Sequence, residues 1–242
     1  MQDSLLRHIG NLFQNRRQRY HRITLMMGDI GEIRSVDAVV TSGNENLMGN
    51  KNNSYWRFSG RINVDGSIRA HSNEGELDSM LKGVKLNRGD IAVTKSTGNI
   101  ERNGIKYVIH TVVPDGAYGD DTHISQKIFR QCYSKSLIAA DNLNCKSIAF
   151  PALGCGVKDW PAVKSADIAY KAILEVELKS IKQIDFLFIE ISTFNTFKAI
   201  GDKVLGLNYD NDQTQSAREG EIGKIEKYNN IRTTQAVYKR KD

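Results

Sequence analysis

The order of the predicted elements indicates an α/β fold, in which a mixed β-sheet lies between layers of helices. Short apolar runs of strand length alternate with segments whose apolar residues recur at helical spacing. Residues 184–191 are nearly continuous in apolar character, which is typical of a strand covered on both faces. Residues 123–143 fit a helix, with its inward face predicted at Ile124, Ile128, Cys132, Leu137 and Ile138. Ligands of such folds bind outside the carboxyl ends of the strands, so functional residues are expected in the loops there.

The length and composition favour one domain with an extension at each end. A chain of 242 residues with 40% hydrophobic residues can bury one sizeable core. We expect this domain to span residues 23–205, and residues 206–242 to form a polar extension with a short ordered piece at 233–238. No apolar run approaches membrane-spanning length.

The cysteines and the first residues bear on the compartment. Cys132, Cys145 and Cys155 are odd in number and lack the close paired spacing of a disulfide framework or a zinc site. Residues 1–20 carry arginines and glutamines where a signal peptide would be apolar. We therefore expect a reducing, cytoplasmic location.

The N-terminal segment is the most basic part of the chain. Residues 1–22 hold five arginines against Asp3, which supplies +4 of the net charge of +6. Its apolar residues recur at helical intervals and predict a basic amphipathic helix docked on the domain: Leu5, Leu6, Ile9, Leu12 and Phe13. A helix that binds a membrane surface or a partner is the alternative. A nucleic-acid surface would need this segment, because the central domain is nearly neutral; a solvated helix end is the more ordinary interpretation.

The stretch from Phe150 to Pro161 predicts an anion-binding loop. An apolar run ends at Phe150, Gly154 and Gly156 follow, and Pro161 stands at the start of a segment with helical spacing. Free backbone N–H groups and the positive end of a helix would then point at one place, which suits a phosphate or diphosphate. A sharp strand-to-helix turn without a ligand is the alternative for this stretch alone.

Four further stretches precede this loop: residues 28–30, 36–47, 64–68 and 109–114. In that order and at those separations the sequence resembles a macrodomain, the module that binds ADP-ribose, from about Ile23 to about Ile200. The motifs are most similar to those of the hydrolytic macrodomains. The resemblance implies a three-layer α/β/α fold with a mixed central sheet and ADP-ribose as the ligand, and we expect no metal or other cofactor.

The resemblance also implies roles for individual residues. Asp29 would accept a hydrogen bond from the adenine amino group and the Ile30 N–H would meet a ring nitrogen, although an Asx turn is the ordinary role of Asp29. Asn44 would bind the hydroxyls of the distal ribose, and Phe194 would cover the adenine face or simply pack its helix. The loop residues expected to surround the diphosphate are Pro151, Ala152, Leu153, Gly154, Cys155, Gly156 and Val157.

Asp65 is the candidate catalytic residue beside Asn44. Hydrolytic macrodomains carry an acidic residue at this position, where it would orient or deprotonate the attacking water. A helix N-terminal Asp that only stabilises the helix dipole is the alternative. Cys155 stands where the family has a small residue such as Thr or Ser, and we interpret it as a size-matched substitution rather than a nucleophile. His110, alone in an apolar strand, is predicted to be a core residue rather than a metal ligand.

Two departures from the family pattern bear on catalysis. Thr41 replaces the earlier of two asparagines that family members often carry. Residues 48–63 replace a run of glycines and contain a group of side chains typical of interaction surfaces: Tyr55, Trp56, Arg57 and Phe58. This insert is either a lid that contacts ligand or a modified partner, or a loop held to the domain by its aromatic residues.

The sequence therefore leaves three functions open. A hydrolase would remove mono-ADP-ribose from protein or small-molecule acceptors. A reader would bind ADP-ribose without catalysis and recruit other proteins, as Thr41 and the missing glycines favour. A nucleic-acid or partner-binding module would have kept only the fold.

Overall fold

A computed structural model describes residues 22–49, 63–116, 122–205 and 235–238. The predicted N-terminal helix, with Leu5 to Phe13, lies outside the described residues, as does most of the predicted C-terminal extension.

The centre of the structure is a seven-stranded mixed sheet with the order β3-β4-β2-β5-β6-β1-β7. The strands are β1 (Arg22–Met27), β2 (Ala38–Ser42), β3 (Ile91–Lys95), β4 (Tyr107–Thr111), β5 (Ser147–Pro151), β6 (Gln183–Phe188) and β7 (Gln235–Tyr238). The five inner strands pair in parallel, whereas β3 and β7 pair antiparallel at the two edges. The mixed sheet predicted from the sequence is confirmed.

Helices cover both faces of this sheet and complete three layers. In the described ranges they are α1 (Val64–His71), α2 (Glu74–Leu81), α3 (Gly98–Arg102), α4 (His123–Asn142), α5 (Ala162–Glu175) and α6 (Ile191–Leu205). The largest apolar cluster joins one face of the sheet to α4, α5 and α6. Two smaller clusters join the other face to α1, α2 and α3.

The main core is organised around the aromatic ring of Phe186 in β6. This fully buried ring lies with its centroid 5.6 to 6.4 Å from those of Tyr133, Phe150, Tyr170 and Phe197. These residues come from α4, β5, α5 and α6, so one side chain connects two strands to all three helices of this layer. Such aromatic contacts add to the free energy gained by burying apolar area.

The inward face predicted for α4 is partly wrong. Ile124 is 72% exposed and Ile138 is 46% exposed. The buried stripe instead includes Ser125, Phe129, Cys132, Tyr133, Ser136, Leu137 and Ala140. At about 100° per residue, Ile138 lies roughly opposite the middle of that stripe. Apolar residues occur on both sides of this helix, so their spacing alone does not identify the side that meets the sheet.

The last predicted strand is shorter than its apolar run. β6 ends at Phe188, and Ile189 and Ile191 are 70% and 52% exposed. The chain leaves the sheet here because α6 begins at Ile191. The predicted ordered piece near the C-terminus corresponds to β7, which pairs with β1. No helix in the described ranges is long and apolar enough to cross a membrane.

The role of Phe186 leads to a prediction about stability. Phe186→Ala is expected to lower the free energy of unfolding by about 3–5 kcal/mol, because it leaves a cavity between the sheet and three helices. Denaturant unfolding followed by circular dichroism measures this change. Ile124→Ala, at a mostly exposed site of α4, is the control and should stay within about 0.5 kcal/mol of wild type. Equal effects of the two substitutions would contradict this account of the core.

Candidate functional site

The loops singled out by the sequence meet at one edge of the sheet. Strands β1, β2, β5 and β6 run parallel, so their carboxyl ends lie on the same side. Asp29 follows β1, Asn44 follows β2, and the loop 152–160 follows β5. The order β2-β5-β6-β1 places the glycine loop between the other two. Three strand spacings of about 4.8 Å separate the strand before Asn44 from the strand before Asp29, a distance of about 14 Å.

The loop after β5 presents backbone donors that have no acceptor among the described residues. The Trp160 N–H donates to the Gly154 carbonyl at 2.9 Å and closes the loop. The N–H groups of Gly154, Gly156 and Val157 have no acceptor in the described part of the chain. Val157 is 59% exposed, so this part of the loop faces outward. Unpaired N–H groups in an exposed turn are suited to an anion.

The same loop is fixed from below by buried hydrogen bonds. The Trp160 indole N–H donates to the Pro114 carbonyl at 2.7 Å, and the Ser165 hydroxyl donates to the Leu153 carbonyl at 2.7 Å. Pro114 follows β4, and Ser165 lies in the first turn of α5. Pro161 is the cap residue of α5, which begins at Ala162. The loop is therefore held against both a neighbouring loop and the positive end of a helix.

The two glycines of this loop do different things. Gly154 has φ +81°, and a Cβ there would lie 2.8 Å from Phe129 Cζ, so only glycine fits above that ring. A Cβ on Gly156 would meet nothing within 4 Å. Gly154 therefore serves packing, whereas Gly156 leaves open space on the outer side of the loop.

Cys155 has the properties of a packed thiol rather than a nucleophile. Burial raises its pKa to about 11, so the thiolate is scarce near neutral pH. This favours the size-matched substitution expected from the sequence. The described residues also contain no group of three His, Cys, Asp or Glu side chains arranged to hold a metal ion.

Asp29 and Ile30 lie in a turn in which one oxygen of Asp29 supports the structure. Asp29 Oδ1 accepts from the Gly31 N–H at 2.8 Å and from the Ser67 hydroxyl in α1. The second oxygen of Asp29 and the N–H of Ile30 have no partner among the residues described. The Asx turn expected as the alternative is thus present, and an acceptor and a donor remain side by side.

Asn44 lies in a turn that its own side chain supports. Its Oδ1 accepts from the Asn46 N–H at 3.2 Å, and its Nδ2 donates to the Gly49 carbonyl at 3.3 Å. Both bonds are long and the side chain is half-buried, so the amide is held in place yet still accessible. Thr41 is fully buried in β2 and its hydroxyl has no partner in the described structure.

Asp65 is brought next to the Asn44 turn by α1. It is the second residue of this helix, which Asn63 caps by accepting from the Gly66 N–H at 2.6 Å. Asp65 is 6% exposed, and its Oδ1 lies 3.9 Å from the position of a Cβ built on Gly43. Its Oδ2 accepts from Arg69 Nε at 2.9 Å. Burial raises the pKa of Asp65, although the positive charge of Arg69 acts in the opposite direction.

The structure bears on the expectations for Phe194 and His110 but not on the one for the insert. Phe194 in α6 is 2% exposed and packs edge-on against Phe188 at 5.6 Å between ring centroids. This burial favours the packing role that the sequence left open for Phe194. The insert side chains Tyr55, Trp56, Arg57 and Phe58 lie outside the described residues.

His110 is buried with its Nε2 3.0 Å from Thr94 Oγ1, and burial lowers its pKa to about 3, as expected for a core residue.

Sequence reasoning missed two polar residues at this site. Ser67 donates its hydroxyl to Asp29, and Arg69 pairs with Asp65. The spacing of four residues between Asp65 and Arg69 is a signal that the sequence offered, because side chains at that separation meet on one face of a helix. No signal of that kind links Ser67 to Asp29, which lies 38 residues earlier.

The fold and the site together define a macrodomain-type module. Residues 53–169 match the Macro domain family. A macro domain-containing protein of Streptomyces coelicolor is 30% identical over 73% of this chain and 96% of its own length. An O-acetyl-ADP-ribose deacetylase of Salmonella newport is 31% identical over 63% of this chain and 77% of its own length. The chain belongs to the macro domain family.

Solved structures agree with this assignment at the level of the fold. An Oceanobacillus iheyensis macrodomain mutant with ADPR superposes with a TM-score of 0.61 at 20% identity, covering 76% of this chain and 93% of that one. A Trypanosoma brucei macrodomain in complex with ADP-ribose gives a TM-score of 0.58 at 21% identity, covering 73% and 68%.

The contrast between the two glycines leads to a prediction. Gly156→Glu should leave the fold intact and abolish binding of ADP-ribose, because it puts bulk and negative charge where the loop is open. Gly154→Ala should instead lower the melting temperature, because its Cβ would collide with Phe129. Thermal unfolding and calorimetric titration separate the two effects. A Gly156→Glu variant that folds and binds like wild type would show that the loop does not hold the diphosphate.

Proposed function

We propose that this chain binds ADP-ribose and hydrolyses ADP-ribosyl linkages, releasing mono-ADP-ribose from protein or small-molecule acceptors. The observation that carries the binding part is the order of the loops along the sheet edge. ADP-ribose is a linear arrangement of adenine, ribose, diphosphate and distal ribose. The loops after β1, β5 and β2 follow in the matching order.

Each end of that arrangement has suitable chemistry. At the β1 end, one oxygen of Asp29 and the adjacent Ile30 N–H have no partner among the described residues. They form an acceptor–donor pair that matches the amino group and ring nitrogen of adenine. In the middle, the unpaired N–H groups of the loop near Gly156 suit the diphosphate. At the β2 end, the Asn44 amide can both donate to and accept from the ribose hydroxyls.

The hydrolytic part rests on the placement of Asp65. One carboxylate oxygen is held by Arg69, and the other faces the turn between Gly43 and Asn44. In the proposed reaction, water attacks the anomeric carbon of the distal ribose while Asp65 Oδ1 accepts its proton. The bond from that carbon to the acceptor breaks, and the acceptor leaves with the electron pair. A carboxylate whose pKa is raised by burial is a better base than an exposed one.

The relatives support a hydrolytic function at the level of reaction class. The Salmonella relative is named for removing an acetyl group from O-acetyl-ADP-ribose. Attack on an ester carbonyl beside the distal ribose and attack on its anomeric carbon both need bound ADP-ribose and a water held close to that ribose. Positioning of this kind accounts for much of the rate in such sites.

A reader without catalysis is the second candidate, and Thr41 favours it. The hydroxyl of Thr41 is fully buried and unpartnered in the described structure, so this side chain does not reach the ligand surface. In the reader function Asn44 alone would hold the distal ribose, and the attacking water would not be aligned. Binding would then serve to recruit an ADP-ribosylated protein.

The proposed setting is a reducing compartment, with an ADP-ribosylated protein as the partner. All three cysteines are free, and none shows the proximity of a disulfide. We propose a cytoplasmic location on this ground, and a contact between the partner and the insert side chains Tyr55, Trp56, Arg57 and Phe58.

The binding proposal predicts a dissociation constant for ADP-ribose below millimolar, or about −5 to −8 kcal/mol. Asp29→Asn should weaken binding by about 1.5–3 kcal/mol. The amide oxygen of this variant can still accept from Gly31 and Ser67, while the free side becomes a donor that opposes the adenine amino group. Isothermal titration calorimetry measures the change. If wild type gives neither heat nor a thermal shift at millimolar ligand, the binding proposal fails.

The catalytic proposal predicts that Asp65→Asn slows release of ADP-ribose by about 10²–10⁴-fold, with little effect on binding. Wild-type activity should rise as the pH passes upward through the pKa of Asp65, because only the ionised carboxylate accepts a proton. Suitable substrates are O-acetyl-ADP-ribose and proteins ADP-ribosylated on Asp/Glu, Ser or Arg, with free ADP-ribose quantified by chromatography.

Asp167→Asn is the matched control for this experiment. Asp167 also pairs with a basic residue four positions later, Lys171 at 2.7 Å, but on the exposed side of α5. It should keep wild-type activity. Tight binding without release of ADP-ribose from any of these substrates would favour the reader. Equal activity of Asp65→Asn and wild type would remove Asp65 from the mechanism.

A further inference from the structure

Arg69 is a nearly buried cation that contacts three separate elements. Its side chain is 9% exposed, and its Nε donates to Asp65 Oδ2 at 2.9 Å within α1. Its Nη1 donates to Asp78 Oδ1 in α2 at 2.7 Å. Its Nη2 donates to the carbonyl of Leu47, in the loop after β2. The guanidinium thus directs all three of its nitrogens at acceptors on different parts of the chain.

The loop after β2 also rests on this guanidinium. Gly49 has φ +69°, and a Cβ built there would lie 2.9 Å from Arg69 Nε, so the backbone approaches the cation as closely as glycine allows. The carbonyl of the same Gly49 accepts from Asn44 Nδ2 at 3.3 Å. A continuous path of contacts therefore runs from Asn44 through Gly49 and Arg69 to Asp65.

Only arginine has the shape for this position. Its guanidinium is planar and always charged, and it offers five donors in a rigid fork, whereas a lysine ammonium is a single point of charge. A buried cation must also find partners for its donors, because an unpaired charge in the interior is costly. The three contacts meet that requirement and at the same time fix the relative positions of the elements that make them.

We propose that Arg69 is a positioning residue, which holds Asp65 and the loop bearing Asn44 at a fixed separation. This inference rests on the proposed function of the site, which it deepens. By occupying one oxygen of Asp65, Arg69 leaves the other directed at the turn beside Asn44, where the distal ribose and the attacking water would lie. A displacement of either group by about 1 Å can cost about 10²-fold in rate.

The charges around Arg69 also set the ionisation of Asp65. The titratable groups that face the guanidinium in the described structure are Asp65 in α1, Asp78 in α2 and His110 in β4. His110 is neutral near pH 7, because burial lowers its pKa to about 3. Arg69 lowers the pKa of Asp65 and Asp78 raises it, while burial has the largest effect and raises it. Removing Arg69 and removing Asp78 should therefore shift the pKa of Asp65 in opposite directions.

The test measures Asp65 itself and turnover in the same variants. The carboxyl carbon of Asp65 is followed by ¹³C NMR as the pH is raised, in wild type, Arg69→Gln and Asp78→Asn. We expect a higher pKa in Arg69→Gln and a lower one in Asp78→Asn. With O-acetyl-ADP-ribose as substrate, Arg69→Gln should lower kcat by about 10²-fold. Its KM should change less than about threefold, since the adenine and diphosphate contacts lie in other loops.

Two more variants separate geometry from charge. Arg69→Lys keeps the positive charge but not the fork, so the pKa of Asp65 should stay near wild type while kcat still falls. Arg130→Gln is the matched control, because Arg130 also pairs with a carboxylate, Glu175 at 2.7 Å, but on the surface of α4 and α5. It should leave both kcat and the titration of Asp65 unchanged.

The outcomes distinguish this proposal from the function on which it rests. If wild type binds ADP-ribose but releases nothing, hydrolysis fails, whereas opposite shifts of the Asp65 pKa would still support Arg69 as the residue that positions it. If wild type is active and Arg69→Gln folds with unchanged kcat and unchanged Asp65 titration, the proposal is overturned. If Arg69→Gln does not fold, Arg69→Lys decides: a lowered kcat with an unchanged Asp65 pKa supports the proposal, and an unchanged kcat refutes it.

Discussion

The parallel pairing of β5 with β2 on one side and β6 on the other is the constraint on which the site depends. Parallel neighbours need a crossover connection, which returns each strand to the same starting edge. The loops that leave the carboxyl ends of β1, β2, β5 and β6 therefore share one edge of the sheet. Asn44 and Gly156, more than 100 positions apart in sequence, therefore follow two adjacent strands at the same edge of the sheet. The order of the strands then sets the order of the chemistry along that edge.

The loop after β5 is held by buried hydrogen bonds on its inner side, while its outer side is open, and this arrangement supports the proposed ligand site. The indole N–H of Trp160 fixes the loop to the Pro114 carbonyl, and the Ser165 hydroxyl of α5 holds the Leu153 carbonyl within the loop. The outward N–H groups near Gly156 are left without acceptors in the described structure. A rigid loop loses little conformational entropy on binding, and preorganised donors interact strongly with an anion. Cys155, in the same loop, is a packed thiol whose pKa is raised to about 11 by burial.

Asp65 and Arg69 combine opposing requirements at the other end of the site. A buried carboxylate needs a nearby cation to remain ionised in the interior. A cation that bound both of its oxygens, however, would remove its capacity to accept a proton. In the observed arrangement the two oxygens of Asp65 have different roles. Arg69 binds Oδ2, and Oδ1 faces the turn after β2. Asp78 shares the guanidinium and so moderates its effect on Asp65. In the proposed function, the choice between hydrolysis and simple binding would depend on this arrangement and on Thr41, whose buried hydroxyl has no partner in the described structure.

The features that the sequence by itself determined are local ones. The strand, glycine loop and helix from Ser147 to Glu175 were predictable from the sequence. The spacing of apolar residues, and the positions of glycine and proline, influence the backbone only within a few residues. The loops after β1 and β2 followed in the same way, whereas the helix that begins beside Asp65 was implied by the family resemblance. What only the tertiary structure decided are relations between distant parts. This second group includes the exposure of Ile124 and Ile138 and the different roles of Gly154 and Gly156. It also includes the hydrogen bonds from Arg69 to Asp78 and Leu47. Each depends on which surface lies opposite, and that is set by packing across the sheet rather than by neighbours in the chain.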